Sequence, residues 1–201
     1  MLHIPDIAQL KIVIEGIDPP IWRRLLVPRE TVLGDLHHMI QAAFGWWDYH
    51  LHEFEIGGLR YGDPELLEDG SFEDDPRVFD ETGVRLYDFV LDAPPFLDRY
   101  DFGDDWHHYI EIEKLLMREE DRKYPACIDG ARSRPPEDVG GVGGYAEFLE
   151  AFHDPEHEEH KDMVRWAGRG FHPDKFDLEK TNKDVRLAVR RAQRRLREIG
   201  D

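Results

Sequence analysis

A change of hydrophobic period within the first sixty residues constrains this chain more than any other feature. From Gln9 to Ile14 apolar and polar residues alternate, with Leu10, Ile12 and Ile14 on one side, the period of a half-buried strand. "GIDPP" then turns the chain into a second extended run, "IWRRLLVP", so a β-hairpin is predicted. The period next lengthens. Leu33, Leu36, Ile40, Ala43 and Phe44 recur at helical spacing, with Thr31 placed to cap the helix and Gly45 to close it. "HLHEFEIGGLRYGD" resumes the alternation, with His50, His52, Phe54 and Ile56 on one face and Leu51, Glu53 and Glu55 on the other. A β-β-α-β start on a mixed or antiparallel sheet is the expectation.

Residues 62–82 are acidic and turn-rich, with too little periodic apolar content for a core element; they read as a surface excursion. "VRLYDFV" suits a short helix or strand. Phe96 to Glu113 reads as a second hairpin turning at Gly103-Asp104. Beyond it the pattern is helical. "GYAEFLEAF" sets Tyr145, Phe148, Leu149 and Phe152 on one stripe, Asp154-Pro155 suits a cap and first turn, and a further helix runs toward Trp166. A last helix begins near Thr181, whose spacing to Asp184 suits a capping box; Val185, Ala188, Val189, Ala192, Leu196 and Ile199 form its inner face and six arginines its outer one. The fold class expected is α+β. One domain spans residues 1–201, with a sheet-rich part (1–115) and a helical part (116–201) packed on the sheet.

Composition bounds the function. Cys127 is the single cysteine among 201 residues, so an intrachain disulfide and a thiolate-only zinc centre are excluded, and a reducing, cytoplasmic setting is expected. The N-terminal stretch has no basic flank followed by an apolar run, and no apolar stretch approaches the ~20 residues of a membrane span. With 26 Lys+Arg against 44 Asp+Glu the net charge is −18, a field that repels a phosphate backbone. Only residues 181–201 run the other way, at +4, which leaves −22 on residues 1–180. Nucleic acid could be met through that segment alone, and its arginines are expected to pair with the acidic body.

Taken together, "PPIWRRLLVP", "TVLGDLHHMIQAAFGW", "HLHEF", "YDFGDDWHHYIEIE" and "CIDGARSRPPEDVGGVGGY" resemble the plasmid pRiA4b ORF-3-like family in order and spacing over nearly the whole chain. The resemblance implies a protein carried on plasmids and insertion elements, with no assigned activity. Relatives often carry extra cysteines flanking the PPED segment, at positions that look like Arg134 and Val139 here, so a cysteine-based metal site is not available to this chain. Family members are sometimes labelled resolvase-like. The two serines, Ser71 in the acidic segment and Ser133 in a proline-flanked turn, stand in no context that activates a nucleophile.

The densest set of chemistry-bearing residues is "YDFGDDWHHYIEIE". Alternation puts His108 on the face of Trp106 and Ile110, and His107 on the opposite one. If that strand lies beside the one at His50, then His50, His52 and His108 converge, and Asp105 or its neighbours Asp101 and Asp104 complete the donor types of a zinc, manganese or iron site. The same Asp101 and Asp104 with His108 are the candidates for acid/base catalysis. The structural reading of these aspartates is a turn, glycine supplying positive φ and aspartate capping local amides. Trp22, Arg23, Arg24, Trp46, Trp47, His50 and Trp106 are the candidate binding surface, the arginines suited to a carboxylate or phosphate unless acidic neighbours occupy them. "PPEDVGGVGGY" lacks the Lys and Ser/Thr of a phosphate-binding loop and reads as a carboxylate-capped helix entry. His153, His157 and His160 are separated by Pro155, so they do not share one helix face.

These observations point to a non-enzymatic binding or accessory protein associated with mobile DNA and acting on a protein partner, with no cofactor. A metal-dependent hydrolase using the His/Asp cluster, with a divalent metal, is the alternative. A nucleic-acid accessory factor working through residues 181–201 is the third.

Overall fold

The structure, a computed structural model, describes residues 4–62, 78–89 and 94–199, with side chains described as far as residue 190. The strands are β1 (Ile7–Ile14), β2 (Trp22–Pro28), β3 (His52–Ile56), β4 (Leu59–Gly62), β5 (Val78–Asp80), β6 (Phe96–Tyr100), β7 (Trp106–Leu116) and β8 (Ala126–Ala131). They form one sheet in the order β5-β4-β3-β6-β7-β1-β2-β8, antiparallel except for the β4–β5 pair. The helices are α1 (Leu33–Phe44), α2 (Gly141–His153), α3 (His160–Ala167) and α4 (Leu178–Ile199). This is an α+β fold.

The two hydrophobic periods meet in one core. Leu10, Ile12 and Ile14 of β1, Leu25 and Val27 of β2, Phe54 of β3 and Ile110 of β7 are buried together with Leu33, Leu36, Ile40 and Phe44 of α1. Each such side chain contributes about 1.5–3 kcal/mol by leaving water. On the outward face of β2, Arg24 grips Glu113 through two nitrogens, at 2.7 and 2.8 Å, and lies with Lys11 over the Trp22 ring. Helix α4 begins its packing with Thr181 and Val185, and Asn182 exchanges two hydrogen bonds with the backbone of Cys127 on β8.

Several expectations are corrected. Thr31 does not cap α1; Val32 precedes the helix, and the first amide, that of Leu33, donates to the Val84 carbonyl. The stretch after β7 is not wholly helical, because β8 adds a strand at the edge of β2. Its alternation is interrupted at Gly130, where a Cβ would meet Phe176 at 2.7 Å and the Trp22 carbonyl oxygen at 2.9 Å. Helix α4 starts three residues before Thr181, with Asp177 accepting from the Lys180 amide, so the Thr181–Asp184 box is not its cap. "VRLYDFV" supplies a single 3-10 turn at Leu86–Asp88. Within the acidic excursion, Asp80 and its two predecessors form β5, while residues 63–77, Ser71 among them, lie outside the described residues, as do the side chains of Ala192, Leu196 and Ile199.

Candidate functional site

Three connecting segments converge at one end of the sheet: residues 45–51 after α1, the β6–β7 turn at 101–105, and residues 132–140 leading into α2. Hydrogen bonds from side chain and backbone bind them to one another. The Trp47 amide donates to Glu137 at 2.6 Å, the Tyr49 hydroxyl to Asp138 at 2.7 Å, and the Asp101 amide to the Leu51 carbonyl at 3.0 Å. Arg134 donates to the Gly45 carbonyl and stacks on Trp46, 4.7 Å from the ring centre. Asp104 accepts from the Gly140 amide at the start of α2. Gly141 follows with φ +66° and so little room that a Cβ would lie 2.4 Å from the Asp104 carbonyl oxygen. The glycine run is thus a helix entry capped by a carboxylate, and that carboxylate comes from the other hairpin.

At this junction His50 meets two carboxylates. Its Nε2 lies 3.2 Å from Asp138 Oδ1 and 3.4 Å from Asp101 Oδ2. Asp48, Asp101, Asp105 and Asp138 all have φ between +55° and +58°, the left-handed region in which aspartate is tolerated better than most residues. In the "YDFGDDW" turn the aspartates, not Gly103, carry the positive φ.

Beneath this surface lies a buried ionic network. Asp98, with no exposure, accepts from His37 Nδ1 at 2.8 Å and lies 3.2 Å from His108 Nδ1. The Trp46 indole donates to His108 Nε2 at 3.1 Å; since an indole N–H can only donate, the ring proton of His108 sits on Nδ1, facing Asp98. His37 Nε2 stands 3.3 Å from Asp48, which His38 also reaches at 2.6 Å. The His37 ring stacks on His52 at 3.5 Å, and His52 contacts Glu81. Burial opposes a charge on His37, but the carboxylates of Asp98 and Asp48 outweigh it and push its pKa up to about 9. Burial likewise opposes the charge of Asp98, and the His37 cation together with the hydrogen bonds from His108 and His37 overrides it, holding the carboxyl far below its ordinary range.

Beside the junction opens a cleft of about 520 Å³ between α1, residues 133–138 and the α3–α4 region. Trp47, 69% exposed, and Trp166, 47% exposed, both line it, with Phe44, Phe171 and Phe176. Arg23, buried, sits between the Phe44 and Phe176 rings and gives its hydrogen bonds to the carbonyls of Trp22, Ala43, Ala131 and Arg132. Arg134, Lys175 and Lys180 are further cations on its wall, and Glu137, Asp138 and Asp177 its anions. The carboxylate nearest Arg134 is Glu137, at 3.9 Å.

Residues 6–180 match the family described as plasmid pRiA4b ORF-3-like protein. The chain belongs to the plasmid pRiA4b ORF-3-like family. It is similar to the uncharacterized protein y4hQ of Sinorhizobium fredii, 37% identical over 167 residues and 82% of each chain. It also resembles the crystal structure of the protein of unknown function MM3350 from Methanosarcina mazei Go1, with a TM-score of 0.77, 41% identity, and 87% of this chain and 95% of that one covered.

In this pRiA4b ORF-3-like chain the residues singled out from sequence fall into separate places. His50 stands before β3, because Asp48 breaks the extended run ahead of it, and does not share the inward face of His52 and His108. His108 is committed to Asp98 and Trp46, and His52 to Glu81. Among the described residues, the group whose ligand atoms lie within 4.8 Å of one another is His50, Asp101 and Asp138; Asp105 instead pairs with Arg99 and His107. Trp46 and Trp106 are buried, so of the candidate surface residues Trp47 and His50 remain at the junction's surface, while Trp22 and Arg24 lie on the outer face of β2 with Arg24 paired internally. Asp104 is the helix cap described above. His153 ends α2, and His160 begins α3 with Nδ1 on the Ala151 carbonyl. Ser133 gives its hydroxyl to the carbonyls of His172 and Lys175 at 2.8 and 2.9 Å, a structural tie. Burial pushes the Cys127 thiol up to about 11, well away from a reactive thiolate. Among the described residues no helix is long and apolar enough to cross a membrane.

Sequence reasoning missed His37, Asp98 and Asp48. The signal was present for two of them: His37 lies on the apolar stripe of α1, four residues after Leu33, and Asp98 holds the inward position between Phe96 and Tyr100.

Proposed function

We propose that this family member is a non-enzymatic binding or accessory protein, and that the Trp47–Trp166 cleft receives an acidic segment of a partner protein. The observation that carries this reading is the state of the two guanidinium groups in the cleft wall. Arg23 makes no ion pair among the described residues and spends its donors on carbonyls, and Arg134 has its nearest carboxylate at 3.9 Å. Carbonyls satisfy the hydrogen bonds of a cation without removing its charge, so the wall holds two guanidinium charges with no carboxylate in direct hydrogen-bond contact. The exposed indoles offer rigid apolar area beside it, the composition of interface anchor points.

Short fluorescently labelled peptides that pair an aromatic residue with Glu or Asp are expected to bind in anisotropy titrations, more weakly as salt is raised. Matched Lys peptides are expected not to. Trp47→Ala and Lys175→Glu, both at exposed positions, are expected to weaken the acidic peptide by about tenfold or more. Equal affinity for acidic and basic peptides, or no response to either substitution, would remove the cleft as the site.

A further inference from the structure

The geometry points to a divalent-cation site formed by His50 Nε2, Asp101 Oδ2 and Asp138 Oδ1, a site separate from the peptide cleft in what it would bind although Asp138 borders both. One imidazole nitrogen faces two carboxylates, at 3.2 and 3.4 Å. A single N–H can serve one of them well and the other poorly, whereas a dication between the three atoms would serve all of them. Nitrogen with two carboxylate oxygens is a donor set for Mn²⁺ or Zn²⁺ rather than for a thiophilic ion.

The groups around the three ligands are arranged as a supporting shell. Tyr49 donates to Asp138 Oδ2, leaving Oδ1 toward His50. The Gly103 amide donates to Asp101 Oδ1, leaving Oδ2 toward His50. Each carboxylate is therefore anchored by one oxygen and presents the other, the arrangement by which outer hydrogen bonds orient metal ligands.

A second, independent observation lies beside His50. Tyr100 is fully buried and its ring stands edge-on to His50 at 5.7 Å. Its hydroxyl has no hydrogen-bond partner among the described residues, and it faces the backbone amides of Tyr49 and His50 and the charge of Glu137. An unpartnered hydroxyl at such a depth is costly. The hydroxyl thus lies beside the backbone that carries the candidate ligand His50.

The test uses the full chain, made without an affinity tag and stripped with a chelator, titrated with Mn²⁺ while free Mn²⁺ is followed by electron paramagnetic resonance, and then with Zn²⁺ in competition. One Mn²⁺ per chain is expected, displaced by Zn²⁺. Asp138→Asn, at a side chain 62% exposed, and His50→Gln are each expected to weaken binding at least about tenfold, and His157→Gln to leave it unchanged. No stoichiometric binding, binding that survives both site substitutions, or loss in His157→Gln would overturn the site. Since no peptide is present, these outcomes are independent of the cleft reading.

Discussion

Asp98→Ala is expected to destabilise the protein by about 3–5 kcal/mol, the cost of breaking a buried ionic cluster by removing one partner. The carboxylate is fully buried, accepts from His37 and lies 3.2 Å from His108 Nδ1. Without it the His37 cation keeps only Asp48, at 3.3 Å and in poor hydrogen-bond geometry, and the Nδ1 proton of His108 keeps only the residue-98 carbonyl, at 3.2 Å. Urea unfolding at pH 6 measures the loss. His37→Leu alone is expected to be severe for the mirror reason, an unpaired buried carboxylate. The double replacement is expected to cost clearly less than the two single losses added together. A loss below about 1 kcal/mol for Asp98→Ala, or strict additivity, would show that the network is not an electrostatic unit.

Stability is also expected to fall on the alkaline side of neutrality, through His37. Its ordinary pKa is 6.5 and in the folded protein it is about 9. Below about 6.5 both folded and unfolded chains carry the proton, and the full contribution of the charged ring is present. As pH rises toward 9 the unfolded chain gives up the proton while the folded one keeps it, so the contribution drains away and is gone above the folded pKa. For so deeply buried a group the loss is on the order of a few kcal/mol. The Cys127 thiol, with an ordinary pKa of 9.0 and held up to about 11 by burial, adds a further loss only above about pH 9. On the acid side the signs reverse. Asp98 and Asp48 are both held below 3.8, so their contribution is present above that value and lost as pH falls beneath it. Maximum stability is therefore expected between about pH 4 and 6.5. Urea midpoints from pH 6 to 9 in wild type and His37→Gln check this; a flat wild-type profile, or the same decline in both proteins, would dismiss His37 as the cause.

Much of the scaffold could be read directly from residue order. The alternation of Leu10, Ile12 and Ile14, the helical stripe ending at Gly45 and the hairpin around Gly103 each state their structure within ten or so residues, because period and turn chemistry are local. The edge strands were harder. β8 is six residues long and contains Gly130, which packing requires to lack a side chain, and β5 is only three residues long. The site was legible in its residue types and not in its partners. His50 and Asp101 were both identified as candidates, but Asp138 comes from a loop whose approach depends on tertiary packing. His108 was identified too, yet its true partner is the residue directly across the β6–β7 ladder, Asp98, a pairing that becomes visible only when the register is known.

The tethers that build the junction span long stretches of chain: Trp47 to Glu137 is 90 residues, and Tyr49 to Asp138 is 89. Contacts of that separation form late, after the intervening chain has already paid its loop-closure entropy. On a ribosome the junction cannot close until residue 138 has emerged, by which point all eight strands have been synthesised. The residues of all eight strands are therefore made before the last contacts of the junction can form, and a product truncated ahead of residue 137 would carry His50 and Asp101 but lack Glu137 and Asp138, which tie the junction together.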